Sequence, residues 1–134
     1  MRKNLLCGII FSSCFIQANF VDAKTASLVY KNQYGSILKL NLNGNNQLSG
    51  SLTTNIASKN CKFVIGSNRP VQGKIVGDIV SLTITYPRCK SIVSFNGHFM
   101  HGHKEISLIS IVNHQAKEGL DAKMIGYDIF KRST

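Results

Sequence analysis

Residues 36–56, SILKLNLNGNNQLSGSLTTNI, contain the pattern that decides the fold. In its first half leucines occupy every second position from Leu38 to Leu42, with polar residues between them. A period of two is typical of a half-buried β-strand, because successive side chains of a strand point to opposite faces. The pair Asn43-Gly44 then predicts a turn, and a second alternating segment follows it. The stretch therefore predicts an antiparallel hairpin.

Similar strand signals recur along the rest of the chain at short, fairly even spacing, and no helical period persists. Strands are predicted near residues 26–32, 36–42, 48–56, 70–76, 79–86, 90–100, 105–113 and 122–132. A loop rich in turn-forming residues covers 58–69. About eight antiparallel strands fit an all-β fold, a closed up-and-down β-barrel, which has room for one small ligand. The 134 residues allow a single domain.

The N-terminal segment, residues 1–23, is predicted to be a signal peptide. Arg2 and Lys3 precede an apolar run, and a small-residue cleavage site closes the segment. The one-sided charge and the lack of a period argue against a buried helix, while a lipoprotein site at Cys14 is an alternative. We expect an exported protein, periplasmic or secreted, with no membrane segment after removal of the signal. Its β-barrel domain is residues 24–134.

Two of the four cysteines, Cys61 and Cys89, remain after removal of that segment. In an oxidising compartment, two cysteines of a small domain commonly form a disulfide. Closing a loop of this length should stabilise the fold by roughly 3 kcal/mol. The alternative is two unpaired buried thiols. We expect a disulfide between Cys61 and Cys89.

The chain is basic, with 16 Lys and Arg residues against 6 Asp and Glu residues and a formal charge of +10. Such a charge can indicate binding to nucleic acid or to an anionic surface. The lysines, however, are scattered singly, and no basic run is flanked by aromatic residues that could stack on bases. We therefore expect a basic, soluble surface and no nucleic-acid partner. A barrel that binds nucleic acid is the alternative, and a steep salt dependence of binding to single-stranded DNA would favour it.

Two segments at opposite ends of the chain predict a shared pocket, residues 30–36 (YKNQYGS) and residues 126–132 (GYDIFKR). Asn32 and Ser36 have the same parity, and Asp128 has the parity of an apolar, core-facing neighbour. Buried polar groups are unfavourable unless they are paired, so several that converge indicate a polar ligand or ordered water. These side chains could instead be ordinary strand residues satisfied by neighbours, with the carboxylate paired to a lysine. An inward carboxylate is rare and is the best single indication of a ligand.

These two segments, together with residues 46–54, resemble the avidin and streptavidin family. The resemblance covers roughly residues 28–132. It is closest in pattern to the rhizavidin-like branch, bacterial dimers in which a disulfide ties the pocket loop to a neighbouring loop, as Cys61 and Cys89 would. It implies a non-catalytic barrel that holds biotin or a biotin-like ligand in its lumen, with no cofactor and no metal. It also implies a homodimer or homotetramer.

The resemblance assigns roles to five polar residues of this sequence. The family's asparagine and serine, which donate hydrogen bonds to the ureido oxygen of biotin, match Asn32 and Ser36. Its acceptors for the two ureido N–H groups match Thr54 and Asp128. The serine that contacts the valeryl carboxylate matches Ser91.

Five further positions of the predicted pocket depart from the family or keep only its aromatic character. Leu52 stands where the family has a third donor, a tyrosine, and Val93 replaces a threonine near the sulfur. Phe95 keeps an aromatic wall, whereas Tyr86 and Ile111 replace tryptophans, and the chain contains no tryptophan. We therefore expect a biotin pocket of reduced affinity. The alternative is a drifted barrel that binds a different apolar or peptide ligand.

Two predicted strands, 105–113 and 122–132, are apolar on both faces. One face can fill the barrel and the other would be exposed, as in a partner surface. This pattern predicts a homo-oligomer. Leu120 stands where tetrameric members of the family donate a tryptophan to the neighbouring pocket.

The remaining chemistry-bearing motif is HFMHGH at residues 98–103. Its three histidines could chelate a metal, but Gly102 indicates a hairpin turn, in which such histidines are usually solvated. We expect no metal site. The sequence also lacks a recognisable serine–histidine pair and a carboxylate pair, so we expect a binding protein rather than an enzyme.

Overall fold

The computed structural model describes residues 26–115 and 121–133, so the predicted signal peptide and Leu120 lie outside the described residues. The eight strands are β1 (Ala26–Asn32), β2 (Ile37–Asn43), β3 (Gln47–Thr53), β4 (Asn68–Val76), β5 (Ile79–Tyr86), β6 (Ser91–Met100), β7 (Glu105–Gln115) and β8 (Asp121–Arg132). Two short 3-10 helices, Lys59–Val64 and Pro87–Cys89, lie in the connections after β3 and β5. No helix in the described ranges is long and apolar enough to cross a membrane.

Each strand pairs antiparallel with the next one along the chain, and β8 returns to pair with β1. The sheet is thus a closed barrel with sequential strand order, which confirms the predicted eight-stranded up-and-down architecture. The closing seam is short, with Tyr30 opposite Arg132 and Asn32 opposite Phe130. Because of this pairing, the two end segments of the chain become neighbours.

The interior of the barrel follows the period-two alternation. In β5, every second residue from Val80 to Tyr86 is buried and the residues between them are exposed. Leu38 and Leu40 of β2 are likewise fully buried. Large apolar side chains therefore fill one part of the lumen, and the largest fully buried ones are Tyr30, Leu38, Leu40, Val71, Val80, Leu82, Ile84, Ile106, Leu108 and Phe130.

The turns use residues that tolerate left-handed backbone. The predicted turn after Asn43 covers residues 44–46, and its left-handed residue is Asn46, with φ of 57°, rather than Gly44. The turn after β6 covers residues 101–104 and has three consecutive positive φ values. The hydroxyl of Tyr30 donates to the carbonyl oxygen of His103 at 2.8 Å and so anchors this turn to β1.

A disulfide joins Cys61 in the first 3-10 helix to Cys89 in the second, with a Cα–Cα distance of 5.9 Å. The predicted pairing is confirmed. The guanidinium of Arg88 also lies 4.6 Å from the centre of the Phe63 ring, across the same two connections. The loop after β3 is therefore fixed beside the connection from β5 to β6.

Candidate functional site

One end of the barrel contains an open cavity of about 550 Å³, a size within the usual range of small-molecule sites. Along β7, Ile106 and Leu108 belong to the packed core, whereas Ser110, Val112 and His114 line the cavity. The cavity is therefore the unfilled continuation of the lumen. Nine of the ten predicted ligand-contacting residues line it, namely Asn32, Ser36, Leu52, Thr54, Tyr86, Ser91, Val93, Phe95 and Asp128.

The tenth predicted residue, Ile111, is not part of the cavity lining. In β7 the even-numbered residues Ser110 and Val112 face the lumen, so Ile111 between them points to the opposite face of the sheet. Its neighbours across the two adjacent strands are Ser94 and Ile125. The structure therefore corrects the prediction that Ile111 forms a wall of the pocket.

Asn32, at the end of β1, makes three hydrogen bonds that fix the orientation of its amide. Its Oδ1 accepts from the backbone N–H groups of Tyr34 at 3.1 Å and of Ser36 at 2.8 Å. Its Nδ2 donates to Oδ1 of Asp128 at 3.0 Å. An amide nitrogen carries two hydrogens, so one hydrogen of Nδ2 stays available for a further acceptor.

Two hydroxyl groups beside Asn32 offer opposite capacities. Ser36 Oγ accepts from the backbone N–H of Asn55 at 2.8 Å, which leaves its hydrogen free to donate. Thr54 Oγ1 donates to the carbonyl oxygen of Ile56 at 2.7 Å and accepts a longer bond from the Ile56 N–H at 3.4 Å, which leaves one of its two lone pairs free to accept. Ser36 and Thr54 are both buried. The first can therefore act as a donor towards the cavity and the second as an acceptor.

Asp128, in β8, is only 7% exposed, and its partner is Asn32 rather than a lysine. Its hydrogen bond uses Oδ1, so Oδ2 keeps its capacity to accept. In the described part of the chain, every fully buried side-chain nitrogen or oxygen already has a protein partner. The polar groups thus satisfy one another without a ligand, yet keep spare donors and acceptors beside the cavity.

Gln33 holds Asp128 in place and is not among the residues predicted from the sequence. Its Nε2 donates to the carbonyl oxygen of Tyr127 at 2.8 Å, and its Oε1 accepts from the backbone N–H of Ile129 at 3.1 Å. These two residues flank Asp128 in β8. The amide of Gln33 therefore continues the short seam between β1 and β8 beyond its backbone pairs and fixes the strand that carries the carboxylate.

Gly126 makes room for the polar end of the cavity. A Cβ atom at this position would lie 2.6 Å from Oγ of Ser110 and 3.9 Å from Oδ2 of Asp128. Any larger residue would therefore press on the buried Ser110 hydroxyl. Ser110 lines the cavity and was also missed by the sequence analysis.

Ser91, at the start of β6, has a partner that the sequence analysis did not anticipate. Its Oγ lies 3.0 Å from the carbonyl oxygen of Cys89 and 2.8 Å from Nδ1 of His114. Ser91 and His114 are directly opposite each other in the β6–β7 register, and both line the cavity. The prediction ended this strand at residue 113, one position before the histidine.

The remaining walls are mostly apolar, and their polar members are Tyr86, Ser58 and Asn60. Burial raises the pKa of Tyr86, while the nearby Arg69 partly counteracts this effect. Phe95 packs edge-on against Phe130, with ring centres 6.2 Å apart. Leu52 and Val93 complete the same lining. An apolar body with a polar end is the arrangement that binds and orients a small organic molecule.

The chemistry of the lining is that of a binding site. The polar end offers two donors, from Asn32 and Ser36, and two acceptors, from Thr54 and Asp128. Together they complement a planar group that presents one acceptor oxygen between two donor N–H groups. Within residues 26–115 and 121–133, no group of three or more His, Cys, Asp or Glu residues is positioned to hold a metal ion.

Comparison with known proteins agrees with this arrangement. A sequence model of the Avidin family matches residues 21–133. The chain is similar in structure to a bradavidin2–biotin complex, at 20% identity and a TM-score of 0.71, covering 81% of this chain and 98% of that one. It is also similar to a rhizavidin–biotin complex, at 21% identity and a TM-score of 0.69, covering 81% of this chain and 100% of that one.

A shwanavidin variant in complex with biotin is similar at 27% identity, with a TM-score of 0.65 and coverage of 82% of this chain and 97% of that one. No curated protein sequence matches the chain. The family match spans all of the described residues, and it confirms the resemblance that the two end segments indicated. The chain therefore belongs to the avidin family.

Proposed function

We propose that the protein binds biotin, or a molecule with the same ureido ring, in the barrel cavity without reacting with it. The observation that carries this proposal is the set of spare donors and acceptors at the buried end of the cavity. The ureido group presents one carbonyl oxygen between two N–H groups, which is the complement of two donors and two acceptors. Family membership and the biotin complexes of the similar structures support the same ligand.

Each polar residue has a defined role in this proposal. Asn32 and Ser36 donate to the ureido oxygen, and Thr54 and Asp128 accept from the two N–H groups. Ser91 contacts the carboxylate of the valeryl chain. The apolar part of the ligand packs against Leu52, Tyr86, Val93 and Phe95, and Val112 takes the place that Ile111 was expected to fill.

The affinity for biotin should be lower than that of the tightest members of the family. Leu52 removes one donor, a loss of about 1–3 kcal/mol, and each absent indole removes roughly 1–2 kcal/mol of apolar and aromatic contact. Together these losses reach about 5 kcal/mol, or nearly four decades in dissociation constant. Biotin–streptavidin lies near the ceiling of non-covalent affinity, so measurable binding survives such losses.

The assembly that we propose is a homodimer or homotetramer. The outward faces of β7 and β8 expose large apolar side chains: Ile109 is 51% exposed and Tyr127 54%, and Ile125, which is 78% exposed, also borders the cavity. Neighbouring apolar residues on one exposed face are typical of a subunit interface.

The protein is also proposed to be exported, with residues 1–23 removed as a signal peptide, to the periplasm or the extracellular space. The Cys61–Cys89 disulfide supports this location, because disulfides persist in oxidising compartments.

Native mass spectrometry with and without biotin tests the ligand and the assembly together. We expect a dimer or tetramer that gains one biotin per subunit. A species that gains no mass at millimolar biotin would refute the ligand, and a monomer at micromolar protein concentration would refute the assembly. Calorimetric titration then provides the dissociation constant.

A further inference from the structure

The cavity lining contains one carboxylate and one imidazole, and the ureido-binding end uses the carboxylate. Among the described lining residues, Asp128 is the only acidic side chain and His114 the only one able to become a cation. Asp128 lies opposite Leu108 in the β7–β8 register, and Leu108 precedes His114 by six residues along β7. At about 3.3 Å per residue this is about 20 Å along the strand, so the two groups belong to different ends of the cavity.

The contacts around Ser91 determine which hydrogens are available there. A serine hydroxyl has one hydrogen, but Ser91 Oγ is within hydrogen-bond distance of both the Cys89 carbonyl oxygen and Nδ1 of His114. Both contacts are satisfied together when Nδ1 of His114 donates to Ser91 and Ser91 donates to Cys89. In that arrangement the Ser91 hydrogen can rotate to a ligand oxygen without breaking its bond from His114.

We propose that His114 is a specificity residue that makes this end of the cavity selective for ligands with a carboxylate. This inference rests on the proposed function, since the ureido ring must occupy the other end. His114 acts by positioning Ser91, whose hydroxyl then donates to the carboxylate. Because the hydrogen bond from His114 already holds the Ser91 hydroxyl in position, Ser91 loses less conformational entropy when the ligand binds.

The surroundings of His114 favour an anion as well. Lys90 immediately precedes Ser91 and is exposed, and its carbonyl oxygen accepts from the backbone N–H of Gln115, next to His114. Lys123 of β8 is also exposed near this end, opposite Asn113. The formal charge of +10 raises the local concentration of anionic ligands in general. The basic surface thus has a use that does not involve nucleic acid.

Two ligands that share the ureido ring test the inference, biotin and its uncharged methyl ester. Their dissociation constants are measured by calorimetry on the unaltered chain and on three variants. His114→Phe keeps the ring but removes the donor, while His114→Asn keeps an N–H close to the position of Nδ1. His98→Phe is the matched control, because His98 is exposed on β6 and is not part of the cavity lining.

We expect the unaltered chain and His98→Phe to prefer biotin over the ester. His114→Phe should weaken biotin binding about tenfold, the order of one charge-assisted hydrogen bond, and change ester binding less than about threefold. His114→Asn should recover most of the preference. Equal weakening of both ligands in His114→Phe, or no weakening of either, would overturn the role of His114 while biotin binding itself stands.

His114→Asn behaving like His114→Phe would overturn the positioning of Ser91. Failure of the unaltered chain to bind either ligand would instead refute the proposed function, and this inference with it. The experiment therefore separates the two failures.

Discussion

Replacing Asp128 by alanine removes the only carboxylate among the described residues that line the cavity. The Asp128 carboxylate is buried and uses only Oδ1 within the protein, in its 3.0 Å hydrogen bond from Asn32. In the proposed complex Oδ2 accepts from a ureido N–H. A hydrogen bond to a charged acceptor contributes about 1.5–3 kcal/mol, so we expect Asp128→Ala to weaken biotin binding about 10- to 100-fold.

The stability of the barrel should change much less than the affinity. The substitution leaves Nδ2 of Asn32 without its carboxylate partner, which would cost about 1 kcal/mol. It also removes a charge that is unfavourable to bury, and the cavity is open, so water can hydrate the amide. We expect the free energy of unfolding to change by less than about 1 kcal/mol. The affinity loss would then report on the ligand contact rather than on misfolding.

Isothermal titration calorimetry with biotin measures the effect, and urea unfolding measures stability on the same samples. Asp78→Ala is the matched control, because Asp78 is exposed in the turn between β4 and β5. An Asp128→Ala protein that binds biotin within twofold of the unaltered chain would contradict a contact between Asp128 and the ligand. It would mean that the carboxylate serves only to hold Asn32.

Three further predictions concern the disulfide, a buried phenol and a glycine. Replacing Cys61 and Cys89 together by serine should lower the free energy of unfolding by roughly 3 kcal/mol, measured in urea, and adding a reductant to the unaltered protein should have the same effect. Burial raises the pKa of Tyr30 to about 12, although Arg132 partly opposes the shift. The neutral phenol of Tyr30 therefore stabilises the fold below pH 10, and this stabilisation disappears as the pH rises from 10 to 12. The Tyr30→Phe variant should therefore lose less stability between pH 10 and 12 than the unaltered chain. At pH 7 it should be about 1 kcal/mol less stable, because the His103 carbonyl loses its donor. Identical profiles of unfolding free energy against pH for the two proteins would contradict this prediction. Gly126→Ala should push the Ser110 hydroxyl into the cavity and weaken biotin binding about tenfold, and adding Ser110→Ala should restore it; an unrestored double variant would show that the clash lies elsewhere.

Much of the fold could be predicted from the sequence, because its determinants are local. The alternation in β5 gives its bounds, 79–86, without any tertiary information. Turn-forming residues separate the strands, although the left-handed residue after β2 is Asn46 and not the glycine of the Asn43-Gly44 pair. Strand order followed from short connections, since consecutive antiparallel strands usually pair.

The parts of the site that escaped prediction depend on contacts between distant parts of the chain. Gln33 lies in what reads as a turn, and its bonds to the β8 backbone exist only because the barrel closes. His114 was missed because β7 continues to Gln115, two residues beyond its predicted end. The added residues include His114, whose side chain faces the lumen opposite Ser91. The predicted bounds of a strand are least reliable at its ends.

Ile111 is an error of a different kind. The alternation of β7 assigns Ile106, Leu108 and Val112 to one face and therefore puts Ile111 on the other. The family resemblance assigns Ile111 to a wall of the pocket and so contradicts this period. In a regular strand the local pattern is the stronger guide, because a shift of one residue moves every side chain to the opposite face.

In the proposed complex, the lumen end formed by Asn32, Ser36, Thr54 and Asp128 receives a ureido ring. A crystal structure of the protein grown with millimolar biotin tests this most directly. We expect the ureido oxygen within hydrogen-bond distance of Asn32 Nδ2 and Ser36 Oγ, and the two ureido nitrogens facing Thr54 Oγ1 and Asp128 Oδ2. Biotin bound anywhere else, or a lumen without biotin at that concentration, would contradict it.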